Sequence, residues 1–82
     1  MNVEDKRWHV YFVYSVEHDL VKIGHGTGKR YKEIQRGLPW ETKIELRCKD
    51  LTKMEACAIE RAFHKLYKSA HVRGEWFKYS SL

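Results

Sequence analysis

The sequence predicts a small α+β domain in which a three- to four-stranded, mainly antiparallel sheet is flanked by two helices, in the order β-β-α-β-α-β. Three segments support this prediction. Trp8 to Val16 is rich in aromatic and β-branched residues, which are typical of strands. Lys43 to Lys49 alternates apolar and charged residues, as a half-buried strand does. Thr52-Lys53-Met54-Glu55 has the form of a capping box, which starts a helix.

The first two strands are expected to form a hairpin. The first strand carries large side chains on both faces, which favours an interior position in the sheet. After a turn, Leu20 to Gly24 returns as a short second strand. With His18-Asp19 as a two-residue turn, Lys22 lies opposite Ser15 and on the same face as Tyr11. A register shift of one residue would reverse that face.

The glycine-rich segment His25 to Gly28 predicts a break between the second strand and the first helix. Thr27 is placed to cap that helix, which is expected to run to about Arg36 and to stop at Gly37. The helix is strongly basic, because Glu33 is its one acidic residue. Its basic residues are Lys29, Arg30, Lys32 and Arg36.

The second half of the chain predicts a strand, a helix and a short closing strand. One face of the third strand is apolar and consists of Ile44, Leu46 and Cys48. The second helix is expected to start at Lys53 and to run to about Ser69, and Glu75 to Tyr79 adds the last strand. The core stripe of that helix consists of Ala56, Ile59, Phe63, Leu66 and Ala70.

Composition indicates one compact domain, with its core over about residues 8–79 of the 82. The 16 Lys and Arg residues against 11 Asp and Glu give a net charge of +5, which favours an anionic partner. There is no signal-peptide pattern, and the longest uncharged stretch, Trp8 to Val16, is too short for a membrane span. We therefore expect a cytoplasmic protein with no membrane partner. The two cysteines form no disulfide framework, which fits a reducing compartment.

Glu60 is the carboxylate that stands out on the second helix. It lies on the shoulder of the core stripe, where a carboxylate is partly buried and near the sheet. Two interpretations stay open, a functional carboxylate or a boundary residue paired with a neighbouring cation. Glu75 also lies beside aromatic residues, and sequence position alone does not rank the two. One carboxylate is enough for a hard cation such as Mg²⁺, whereas the Cys and His residues lack the spacing of a zinc site.

Four short motifs occur in an order that resembles the GIY-YIG nuclease superfamily. They are Val10-Tyr11-Phe12, then Lys22-Ile23-Gly24 eleven residues after Tyr11, then a helix carrying Arg30, and then Glu60 in Glu-Arg-Ala-Phe-His-Lys-Leu-Tyr. The chain more closely resembles the short subgroup associated with phages and viruses, in which the second motif reads Lys-Ile-Gly. That subgroup tends to have a Glu-x-x-x-His helix and a closing Gly-Glu-Trp-Phe, found here as Glu60 with His64 and as Gly74 to Phe77.

The resemblance implies an endonuclease that hydrolyses DNA phosphodiester bonds with a single divalent cation, Mg²⁺ or Mn²⁺, in a bacterial or phage-infected cell. It implies that Tyr11 activates or positions the attacking water and that Arg30 stabilises charge on the phosphate. Glu60 would hold the cation, with His64 as an additional candidate, and Gly24 would keep the site open. The residues expected to bind nucleic acid are Lys29, Lys32 and Arg36.

Two features depart from the family pattern. Lys22 replaces the second-motif Tyr, and a lysine can hold a phosphate or take part in proton transfer without being equivalent to a tyrosine. Arg30 follows Gly24 by six residues, nearer than in better-known members, and Ile34 stands where His or Tyr is frequent. We include Lys22 among the catalytic candidates. A second hypothesis stays open, a nucleic-acid-binding module of the same fold with weak or no catalytic activity.

Overall fold

The computed structural model describes residues 6–82 as one five-stranded antiparallel sheet with two helices. The strands are β1 Trp8–Ser15, β2 Leu20–Thr27, β3 Lys43–Leu51, β4 His71–Arg73 and β5 Trp76–Lys78. The helices are α1 Arg30–Arg36 and α2 Lys53–Leu66, and short 3-10 turns cover Lys68–Ala70 and Tyr79–Ser81. The strands lie in the order β3-β1-β2-β5-β4, so β1 is an interior strand. The α+β class is therefore confirmed.

The predicted strand count of three or four is wrong, since the sheet has five strands and closes with a β4–β5 hairpin. Gly74 turns the chain between these two strands with φ +56, a conformation that glycine adopts at low cost. β4 has three residues and all are exposed, so it shows no alternation that a sequence pattern can reveal. β5 pairs with β2 and thereby joins the hairpin to the sheet.

Lys22 lies on the same face as Tyr11, as predicted, but in a different register. It pairs with Val13 and not with Ser15. The reason is the turn, which spans residues 16–19 and is longer than the predicted two residues. The pairing has moved by two positions, and an even shift keeps each side chain on its face.

β2 is longer than predicted and replaces the expected break after Gly24. It continues to Thr27, which pairs with Trp8 of β1 and so extends the ladder instead of capping α1. This pairing satisfies backbone groups in a segment whose glycines indicate a loop. Gly28 then turns the chain with φ +56. The predicted end of α1 at Arg36 is confirmed.

A β-bulge overturns the prediction that Ile44, Leu46 and Cys48 share one face of β3. Cys48 pairs with Val10, whereas Leu46 pairs with Tyr11, so neighbouring positions of β1 oppose positions two apart on β3. A bulge of this kind places the residues on its two sides on opposite faces. Cys48 accordingly packs on the hydrophobic core, while Ile44 and Leu46 lie on the side of Tyr11.

α2 covers one face of the sheet. The buried core beneath it consists of Val10, Phe12, Val21, Ile23, Ala56, Ala70 and Phe77. The helix begins at the predicted capping box, in which Thr52 and Glu55 make both reciprocal bonds. It ends at Leu66, before the predicted Ser69, and Leu66 is 67% exposed, so its predicted place in the core stripe is wrong. Neither helix within residues 6–82 is long and apolar enough to cross a membrane.

α1 lies on the opposite face, where the ring of Tyr31 packs against those of His9 and Tyr11. This side of the sheet is termed the Tyr11 face. Residues that pair directly across antiparallel strands point to the same side. On the two central strands the Tyr11 face therefore carries His9, Tyr11, Val13, Lys22, Gly24 and Gly26.

Candidate functional site

Tyr11 and Gly24 form the centre of the candidate site. They are paired residues of the two central strands, so the Tyr11 side chain lies against Gly24. A Cβ atom added at Gly24 would lie 2.9 Å from Tyr11 Oη and 3.0 Å from Tyr11 Cζ, which is too close. Tyr11 is 2% exposed, and no hydrogen bond joins its hydroxyl to another residue of the described segment. The absent side chain at Gly24 thus lets the Tyr11 ring pack directly on the strand. The Tyr11 hydroxyl has both donor and acceptor capacity free.

Arg30 approaches this centre from the start of α1. Its stem lies over Gly26, where an added Cβ would be 2.8 Å from Arg30 Cγ and 3.7 Å from Tyr11 Cε2. The guanidinium donates to Glu33 Oε2 at 3.1 Å, and the Arg30 side chain is 59% exposed. Exposed ion pairs of this kind contribute little free energy, so the guanidinium can exchange Glu33 for another anion.

Lys22 and Glu75 form an ion pair on the Tyr11 face. Lys22 Nζ lies 2.9 Å from Glu75 Oε1, and the two side chains are 19% and 39% exposed. The ammonium also lies 5.7 Å from the ring centroid of Trp76, its partner residue on β5. Lys22 is therefore held at the edge of the site together with a carboxylate.

The surrounding charges act on the Tyr11 hydroxyl. Burial raises the pKa of Tyr11 to about 12, and the carboxylate of Glu75 adds to the rise. Arg30 lowers this pKa, and Glu60 raises it with the weakest influence of the three charges. The hydroxyl therefore keeps its proton at neutral pH, which suits a hydrogen-bond donor and does not suit a general base.

Glu60 lies against two histidines in a separate cluster. Its Oε1 is 2.6 Å from Nδ1 of His25, and its Oε2 is 3.6 Å from Nε2 of His64. His25 pairs with Val10 of the buried core, so its side chain points to the α2 side of the sheet. The side chain of Glu60 is 12% exposed. Glu60 thus raises the pKa of Tyr11 from a cluster that lies on the opposite face of the sheet, the side covered by α2.

The two histidines have further contacts that hold α2 against β2. Nε2 of His64 donates to the carbonyl oxygen of Ile23 at 2.9 Å. Nε2 of His25 lies 3.4 Å from Sγ of Cys57, one turn before Glu60 on α2. These contacts give His64 a structural role in docking the helix.

The predicted phosphate-binding residues surround the start and body of α1. These residues are Lys29, Lys32 and Arg36, and all three are exposed. Lys29 immediately precedes the helix. Because α1 covers the Tyr11 face, these residues add positive charge to the same side of the molecule.

The structure brings Tyr11, Lys22, Gly24 and Arg30 together on one face and places Glu60 in the histidine cluster. Sequence reasoning left Glu75 unassigned, although it belongs to this face through its pair with Lys22. The signal was the closing Gly-Glu-Trp-Phe segment. Its use required knowing that β5 pairs with β2, which local patterns do not show.

No family profile matches this sequence, and no curated protein or solved structure shows significant similarity to it. Function is therefore inferred from the residues and their geometry. Within residues 6–82 no three His, Cys, Asp or Glu side chains are grouped to hold a metal ion.

Proposed function

We propose that this protein is a metal-dependent endonuclease that hydrolyses phosphodiester bonds in DNA. One observation carries the proposal. The Tyr11 hydroxyl, which has no hydrogen bond within the described segment, lies over Gly24 on the same face as the cationic side chains of Lys22 and Arg30. A donor hydroxyl with two nearby cations suits a phosphate group. The net charge of +5 supports an anionic polymer as the substrate.

Each side chain of the site has a task in this proposal. The phosphate binds near Arg30 and Lys22, whose charges offset the negative charge that develops on its oxygens. Tyr11 donates a hydrogen bond to the attacking water or to a phosphate oxygen, because its hydroxyl stays protonated at neutral pH. Gly24 provides the space in which the Tyr11 ring lies. The phosphates on either side are bound by Lys29, Lys32 and Arg36.

The donor set fits a divalent cation of the magnesium type. Mg²⁺ is bound by one or two carboxylates together with waters and phosphate oxygens. The carboxylates whose charges reach Tyr11 are those of Glu75 and Glu60, and the resemblance implies Glu60 as the ligand. When bound, the cation supplies charge neutralisation at a non-bridging phosphate oxygen.

A plasmid-nicking assay tests this function. Supercoiled DNA is incubated with the protein and Mg²⁺ or Mn²⁺, and a parallel reaction contains EDTA. We expect nicking to require the cation and to fall about a hundredfold or more in Arg30→Ala. Arg61→Ala, which removes an exposed arginine of α2, is the control and should cut normally. Nicking that persists in EDTA, or that Arg30→Ala leaves unchanged, would contradict the proposal.

One observation favours a second function, a nucleic-acid-binding module without cleavage. The ammonium of Lys22 is engaged by Glu75. Such a module would hold the DNA backbone with the same cationic side chains. Tight binding of DNA without nicking under either cation would support this function over the first.

Binding of duplex DNA is expected to weaken steeply with salt under either function. Each phosphate contact contributes about −0.9 to the slope of log binding constant against log salt concentration. Replacing Lys29, Lys32 and Arg36 together by Gln should therefore reduce the steepness by as much as about 2.7. Fluorescence anisotropy of a labelled duplex measures the slope. The charge-matched control replaces the exposed Lys43, Lys49 and Lys68, and a slope that both triple variants change equally would contradict a binding surface at α1.

A further inference from the structure

We propose that Glu75, and not Glu60, is the carboxylate through which this site takes its divalent cation, and that the Lys22 ammonium occupies this carboxylate in the cation-free protein. The inference rests on the proposed function, for which the resemblance names Glu60 as the ligand. It is carried by the Lys22–Glu75 pair on the Tyr11 face and by the hydrogen bond between Glu60 Oε1 and His25 on the other face.

The turn before β5 fixes Glu75 beside the site. The carbonyl oxygen of Glu75 accepts a hydrogen bond from the amide of Ile23 at 3.0 Å, which ties this turn to β2. The next residue, Trp76, pairs with Lys22. Lys22 in turn is two positions from Gly24, so both lie on the same face of β2. A carboxylate that is 39% exposed at this point is accessible to an ion and its waters.

Glu60 offers poorer access to a cation. Its two oxygens lie 2.6 Å from His25 and 3.6 Å from His64, and its side chain is 12% exposed. An ion at Glu60 Oε1 would compete with the imidazole of His25, which also contacts Cys57 at 3.4 Å. Magnesium prefers oxygen ligands and retains several waters. A partly buried cluster of imidazoles on the α2 side of the sheet does not provide these conditions.

The influence of each carboxylate on the pKa of Tyr11 also favours Glu75 over Glu60. Glu75 raises the pKa of Tyr11 more strongly than Glu60 does. Coulomb interactions weaken with distance and with screening, so the carboxylate of Glu75 is the one better coupled to the hydroxyl. A cation on Glu75 would therefore act on the phosphate that Tyr11 and Arg30 contact.

Lys22 and the cation compete for the same carboxylate. The ammonium lies 2.9 Å from Glu75 Oε1, and a magnesium-type ion needs a position at about 2.1 Å from such an oxygen. With an ion on Glu75, Lys22 would be released from this carboxylate, and its charge would be available to a phosphate oxygen. This exchange gives a physical reason for a lysine where the resemblance expects a tyrosine, because the lysine neutralises Glu75 until the ion binds.

Binding of Mn²⁺ without DNA tests the assignment, with the free ion measured by EPR spectroscopy. We expect Glu75→Gln to weaken binding about tenfold or more, and Glu60→Gln to change it less than about twofold. Glu17→Gln, which neutralises an exposed carboxylate of the first turn, is the control. Weaker binding in Glu60→Gln with no change in Glu75→Gln would overturn the proposal, as would an unaltered protein that binds no Mn²⁺.

Lys22→Met is the independent variant. Loss of the competing ammonium is expected to tighten Mn²⁺ binding about threefold or more, an effect that a purely structural role of the ion pair does not produce. Unchanged or weaker binding in a folded Lys22→Met protein would overturn the exchange. Thermal unfolding of each variant establishes that it is folded.

These measurements contain no DNA, so their outcome is separate from that of the nicking assay. Mn²⁺ binding through Glu75 in a protein that does not nick DNA supports this assignment and removes the proposed nuclease. Nicking that Glu60→Gln abolishes and Glu75→Gln leaves intact supports the nuclease and overturns the assignment.

Discussion

Tyr11→Phe is expected to lower the rate of DNA nicking by about a hundredfold or more, because it removes one hydrogen-bond donor at the reacting phosphate. The ring stays in place between β2 and α1, so the shape of the site is kept. The lost hydroxyl has no hydrogen bond within the described segment, and its removal takes away a polar group that is poorly solvated. The thermal midpoint is therefore expected to stay the same or to rise slightly.

Tyr14→Phe is the matched control on the same strand. Tyr14 packs beside the core, and its hydroxyl donates to Glu45 Oε1 at 2.7 Å and accepts from Arg47 at 3.1 Å. Its loss disturbs a surface network and leaves the Tyr11 face unchanged. A Tyr11→Phe protein that nicks DNA as fast as the Tyr14→Phe protein would show that the Tyr11 hydroxyl takes no part in the reaction.

The elements that form through local interactions are the ones that the sequence predicts well. α2 begins at its capping box because Thr52 and Glu55 each bond the other's backbone amide, and four consecutive residues encode this arrangement. β1 is predictable because large apolar residues on both of its faces suit an interior strand. β4 is exposed along its whole length and forms because β5 lies next to it, which no periodic pattern reveals.

Sequence patterns predict only the part of the candidate site that lies on the β1–β2 hairpin. Tyr11, Lys22 and Gly24 belong to that hairpin, so their common face follows from alternation even though the pairing is two positions away from the expected one. Glu75 joins them through the β2–β5 pairing, which brings together segments that are far apart in the chain. Helix periodicity places Glu60 near the sheet, but it does not indicate that both oxygens face histidines on the α2 side.

Gly24→Ala is expected to abolish nicking and to destabilise the fold. The added Cβ would lie 2.9 Å from Oη and 3.0 Å from Cζ of Tyr11. Because Tyr11 is 2% exposed, its ring has little room to move away. Overpacking of this kind lowers the free energy of unfolding by about 1–3 kcal/mol, and hence the thermal midpoint by roughly 4 °C or more. Nicking falls because the methyl group displaces the Tyr11 ring and its hydroxyl.

Gly37→Ala separates this effect from the general cost of replacing a glycine. The atoms nearest to an added Cβ at Gly37 are 3.5 Å and 3.6 Å away, and its φ of −78 suits alanine, so this variant should match the unaltered protein in stability and in nicking. Combining Gly24→Ala with Tyr11→Phe removes the closest contact, that with Oη, and should restore part of the lost stability without restoring nicking. A Gly24→Ala protein with full stability and full activity would mean that the Tyr11 ring moves aside freely. The position of the Tyr11 ring over Gly24 would then not be required for nicking.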